Sequence, residues 1–162
     1  MIVVADASPL VALSAIRRLE LLEDLYGRVV VPEAVWYEIV EQGRGKPGAA
    51  ALESAGWVHR ERVLDEALSL ALQEQLGRGE AEAIALGLQL TADLVLMDER
   101  IGRRTAQRLG LRVVGVIGVL IEAKHRGRLA AVKPALEHLR DIAGFRISPA
   151  LFERVLGDEG EV

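Results

Sequence analysis

A chain of 162 residues without a single cysteine cannot carry a disulfide framework, a thiol nucleophile or a cysteine-ligated zinc. Its apolar fraction is high (51%) and its aromatic fraction low (4%), which predicts one domain with a core of Ala, Leu, Val and Ile. The net charge of −4 argues against a general nucleic-acid coat protein, and no apolar run approaches the roughly 18 residues of a membrane span.

The start also lacks the basic region of a signal peptide, so the expectation is a soluble, cytoplasmic protein with no membrane partner. Residues 2–5 read as a short apolar strand that ends at Asp6. Ser8-Pro9 is a helix entry signal, and the helix runs to about Leu25, broken near Arg18 and stopped at Gly27. A second strand follows at 28–31, and Pro32 opens a helix through about Glu41. Residues 42–48, QGRGKPG, form a loop rather than a phosphate cradle, because no Ser or Thr follows the lysine in the required frame. A short helix to Ser54 and a polar third strand at 57–63 come next. Asp65 caps a helix to Leu76.

Residues 79–104 are the centre of the reading: a helix to about Gln89, a buried strand at 94–97, then Asp98. A helix to Leu109 and a strand at 112–114 follow. Three helical pieces between residues 116 and 156 complete the domain over 1–157, leaving 158–162 as a frayed tail. Strands alternating with helices predict an α/β fold with a parallel sheet wrapped by helices.

Asp6 and Asp98 each end a strand at the sheet edge where α/β folds bind ligands. Each also reads as a helix cap. On the helix after Pro32, a turn of about 100° per residue sets Glu38 at the edge of the apolar face while Glu33, Tyr37 and Glu41 face solvent. The same geometry tilts Glu80 toward Ile84 and Leu88 and points Glu82 nearly opposite. Glu80 standing in a first helical turn also serves simply to complement the helix dipole. Four such acids are more economically one cluster than four bystanders. Oxygen donors without histidine or cysteine select Mg²⁺ or Mn²⁺. His59, His125 and His138 have no metal spacing.

The stretches VVADASPLVALSAI, VPEAVWYEI, GRGEAEAIALGLQLTADLVLMDERIGRRTAQRLG, VVGVIGVLIEAKHRGRL and GFRISPALFERVL resemble a PIN-domain ribonuclease. The resemblance is to the kind found as the toxin of VapBC-type toxin–antitoxin pairs, in a branch known only as predicted nucleic-acid-binding. It implies a three-layer α/β/α fold with a central parallel sheet of four to five strands. It also implies an acid set at Asp6, Glu38, Glu80 and Asp98 holding Mg²⁺ or Mn²⁺, with Ser8 at a small hydroxyl position beside the first Asp. Family members often carry Asp where Glu80 stands. The implied activity is hydrolysis of RNA to 5′-phosphate and 3′-hydroxyl ends, and the implied partners are RNA, a cognate antitoxin and a second copy of the chain.

Arg100, Arg104 and Arg108 form one helical stripe beyond Asp98, bordered by Arg103, with Ile101, Thr105 and Leu109 as the adjoining inward stripe. Arg100, Arg103 and Arg104 are thus candidates for phosphate contact, and equally for a solvated face or an antitoxin contact. Two rival readings stand beside the nuclease. One is a PIN-like module that binds nucleic acid or protein without catalysis. The other is a receiver-like phospho-accepting domain, which would want an acidic pair where Asp6 stands alone.

Overall fold

Five short runs of mostly Val and Leu pair as one parallel sheet in the computed structural model, which describes residues 1–162. The strands are β1 (Val3–Ala5), β2 (Val29–Pro32), β3 (Val58–Glu61), β4 (Leu94–Leu96) and β5 (Val113–Val114). Their order across the sheet is β3-β2-β1-β4-β5. Val4 pairs with Val30 on one side and Val95 on the other. The three central strands are buried along their whole length, as a parallel sheet covered on both faces requires. At the β3 edge only Val58 is buried, which is why that strand reads as polar.

The covering helices are α1 (Ala7–Ala15), α2 (Leu21–Tyr26), α3 (Glu33–Trp36), α4 (Pro47–Ser54), α5 (Glu66–Leu72) and α6 (Arg78–Gln89). After β4 come α7 (Arg100–Arg108), α8 (Val116–His125), α9 (Lys133–Asp141) and α10 (Pro149–Asp158). Alternate residues of each strand face opposite layers. Val3, Ala5, Val31 and Leu96 pack with Leu13, Leu22, Leu120 and Leu136 from α1, α2, α8 and α9. Val4, Val30 and Val95 pack instead with Ala81, Ile84 and Ala85 of α6. The three-layer α/β/α arrangement follows.

The chain leaves β1 toward β2 and β3, then returns to β1's other side for β4 and β5. The sheet order therefore reverses between β1 and β4, and the crevice at their carboxyl ends is the expected ligand site. A receiver-like domain has the order 2-1-3-4-5. The observed order rules that alternative out.

The break expected near Arg18 is present: Arg17 takes a left-handed backbone conformation (φ 58°), and the first helical stretch is two helices. Other local details depart from the sequence expectations. Ser8 lies inside α1 rather than capping it; the N-cap is Asp6. The helix after β2 turns into a π-helical segment at Tyr37–Glu41, and α5 stops at Leu72 rather than Leu76.

The expected frayed tail is instead tied down by Glu161. Its carboxylate accepts from the Val132 and Lys133 backbone N–H groups at 2.8 and 2.9 Å, and Lys124 Nζ donates to it at 2.7 Å. These bonds hold the carboxyl at about 2, well below its ordinary 4.5; Lys124 and the two backbone N–H groups outweigh the opposing effect of burial. No helix is long and apolar enough to cross a membrane.

Candidate active site

Asp6 follows β1 directly and is 4% exposed. Its N–H donates to the Leu96 carbonyl at 2.9 Å, which locks the end of β1 beside the end of β4. The carboxyl is pushed up to about 7 from an ordinary 3.8. Burial is the main cause, opposed by the Ala7 amide and reinforced by the charges of Glu80, Glu38 and Asp98. It forms no ion pair with any basic side chain.

Asp98 lies two residues past β4. Its Oδ1 accepts from the Val116 N–H at the start of α8 (3.0 Å), while the buried Oδ2 has no hydrogen-bond partner. Burial raises this carboxyl too; the Val116 amide and Arg103 pull it back. Gly115 makes the approach possible. A Cβ there would stand 2.5 Å from Asp98 Oδ1 and 2.9 Å from Arg103 Nη1.

Glu38 stands on the π-helical segment. As a residue it is exposed, yet its carboxyl turns inward and is raised by burial and by the charge of Glu80. Gly79, second in α6, explains how the acids share one space. A Cβ at Gly79 would lie 3.3 Å from Glu38 Oε1 and 3.5 Å from Asp6 Oδ1. Glu80 joins from the first turn of α6, where its Oε2 also accepts from the Gly77 N–H at 2.8 Å. Glu80 thus serves the helix end and also lines the cleft beside Asp6 and Glu38. Asp6, Ser8, Glu38 and Glu80 line one open cleft of about 250 Å³.

Glu82 does not point to solvent. It is 8% exposed, and its Oε1 accepts from the Ala34 N–H at the start of α3 (3.0 Å) while Oε2 pairs with Arg78 (3.1 Å). The single-face geometry fails because α6 is buried on more than one side: Gly79 and every residue from Ala81 to Gly87 are buried.

The inward stripe expected on α7 is also corrected. Ile101 and Leu109 are 48% and 42% exposed, and the buried positions are Gly102 and Ala106. Small residues are needed there, since a Cβ on Gly102 would meet Met97 Sδ at 2.7 Å. Arg100 and Arg104 are exposed. Arg103 folds back to donate to the Met97 carbonyl at 3.0 Å, beside Asp98. Sequence reasoning missed Glu99, whose carboxylate caps α7 by accepting from Ile101 and Gly102 N–H at 3.1 and 2.6 Å. It also missed Arg78, whose only signal was its place in Gly-Arg-Gly at a helix start.

As placed, no three acid or imidazole side chains stand close enough to ligate one ion. The donor chemistry nevertheless suits a hard divalent cation. All four acids offer oxygen, Asp98 Oδ2 is a buried acceptor without a partner, and Asp6 is a buried acid among acids. Glu38, whose carboxylate makes no hydrogen bond to the protein, is the side chain free to adjust, whereas Glu80 is held by the Gly77 N–H.

A family model described as PIN domain matches residues 2–161, nearly the whole chain. No curated protein matches it.

Proposed function

The chain belongs to the PIN-domain family, whose fold is of the nuclease type, and from that membership and its acidic cleft we propose that it is a divalent-metal-dependent ribonuclease. One observation carries this reading: Asp6 is a buried carboxyl at the switch point, raised by burial and by the charges of three acids, and it has no ion-pair partner. Asp6 and Asp98 would hold Mg²⁺ or Mn²⁺, with Glu38 and Glu80 completing the oxygen donor set. When bound, such an ion supplies a water of lowered pKa and stabilises charge on the leaving oxygen of a phosphodiester.

The chain's own residues set the conditions for that chemistry. Asp6 must shed its proton before it can act as a ligand, and with its carboxyl near 7 that happens around neutral pH. The Val116 N–H fixes Asp98 through Oδ1 and leaves the buried Oδ2 without a hydrogen-bond partner. Ser8, exposed on the cleft wall, offers a hydroxyl to a water or phosphate beside Asp6. Arg100 and Arg104 offer exposed charge on the helix that leaves Asp98, and Arg103 steadies the Asp98 carboxylate.

In the cell, this reading makes the chain the toxin of a toxin–antitoxin pair, arrested by a co-encoded partner. The direct test is whether the purified protein cleaves structured RNA with Mg²⁺ or Mn²⁺, leaving 5′-phosphate ends, and stops with EDTA. Absence of hydrolysis with either metal between about pH 6 and 9 refutes it. The rival, a non-catalytic PIN module, draws on the acids' failure to converge as placed. It predicts RNA or protein binding with no metal-dependent product.

A further inference from the structure

We propose that Arg78 contacts the RNA phosphate beside the cut and that buried Glu82 holds it there. This rests on the ribonuclease reading.

An acidic cleft repels a polyanion, so binding needs positive charge within about a Debye length, ~8 Å at physiological salt. Arg78 is the one basic residue in the lining of the acidic cleft. It also lines a second cleft of about 590 Å³, together with Arg62, Ser69, Gln73 and the acids Glu33, Glu66 and Glu82. Arg78 is therefore the wall that the two clefts share.

Its side chain is 70% exposed, but it is not adrift. Nε donates to Glu82 Oε2 at 3.1 Å, and Glu82 is anchored in turn by the Ala34 N–H. A buried acid is costly unless it is paired and hydrogen-bonded, and both oxygens of Glu82 are engaged. The pairing uses only Nε, so the terminal Nη nitrogens of Arg78 keep their donors for a phosphate, which a guanidinium binds as a fork. Arg103, the α7 arginine beside Asp98, has Nη1 committed to the Met97 carbonyl.

The test compares Arg78→Ala, Arg78→Lys and Glu82→Gln with the wild-type chain. Steady-state cleavage of RNA with Mg²⁺ gives KM and kcat. RNA binding is followed by fluorescence anisotropy against salt, with each change placed on the cleavage-deficient Asp6→Asn chain. Loss of a charged phosphate contact in Arg78→Ala should raise KM about tenfold or more. The same change should flatten the slope of log K against log salt by about 0.7. Arg78→Lys should restore the slope but not KM, and Glu82→Gln should raise KM with its metal requirement unaltered. Because Arg78 is exposed, its variants test the idea even where Glu82→Gln fails to fold.

Unchanged KM and salt slope in Arg78→Ala, with wild-type cleavage intact, overturn this inference and leave the ribonuclease standing. Loss of a protein partner with RNA binding intact overturns it too. A wild-type chain that neither binds nor cleaves RNA removes the ribonuclease reading, and this inference with it.

Discussion

Replacing Asp6 by Asn should stabilise the metal-free protein, and the gain should grow with pH. The folded chain holds the Asp6 proton more tightly than the unfolded chain does: about 7 against an ordinary 3.8. Below about pH 4 the carboxyl is neutral in both states and has no effect. As pH rises from 3.8 toward 7 the unfolded chain ionises first, and each step costs the folded state more. Above that window the penalty is constant, about 4 kcal/mol from the distance between the two values. At pH 5 it is only about 1.5 kcal/mol, so the advantage of Asp6→Asn over wild type should widen by about 3 kcal/mol between pH 5 and pH 8. The neutral amide relieves the same repulsion. Urea unfolding in EDTA at the two pH values reads the difference directly. Excess Mg²⁺ should erase it, because an ion that binds only the folded wild type stabilises it by mass action. A pH-independent difference, or a variant less stable at pH 8, would refute the reasoning that Asp6 is a buried acid among acids.

Glu80→Gln should depress metal-dependent cleavage and leave the unfolding midpoint almost unchanged. Glu82→Gln should cost roughly 1–3 kcal/mol in urea unfolding, because it weakens the anchor of the α3 start and of Arg78. Gly115→Ala drives a methyl into Asp98 Oδ1 and Arg103, so it should lower both thermal stability and activity. Gly79→Ala meets only ordinary to tight contacts, so it should fold and chiefly disturb cleavage. Glu161→Gln should lower the urea midpoint with cleavage intact. The stabilisation from Glu161 is present above about pH 4.5 and lost as pH falls toward 2, which the pH dependence of the midpoint in wild type and variant will show.

Hydrophobic pattern alone located the three central strands. Parallel strands covered on both faces are continuous apolar runs, as residues 2–5, 29–31 and 94–97 are. Asp6 and Asp98 were legible for the same reason: each is the first carboxylate after such a run. Which strands are neighbours is a property of tertiary order, and it brought the ends of β1 and β4 together across the Asp6 N–H to Leu96 carbonyl bond. The roles of Glu80 and Glu82 were decided only there as well. A helical wheel assumes one core direction, and α6 is packed against both the sheet and α3, so Glu82 found a buried partner on the side assigned to solvent. The π-helical segment at Tyr37–Glu41 has its own turn and removes the even 100° step from which Glu38 was placed. Glu161 gives the plainest case. A short acidic tail has no local signal for order, because its partners at Lys124, Val132 and Lys133 lie about thirty residues back and meet it only when the α8–α9 corner has formed.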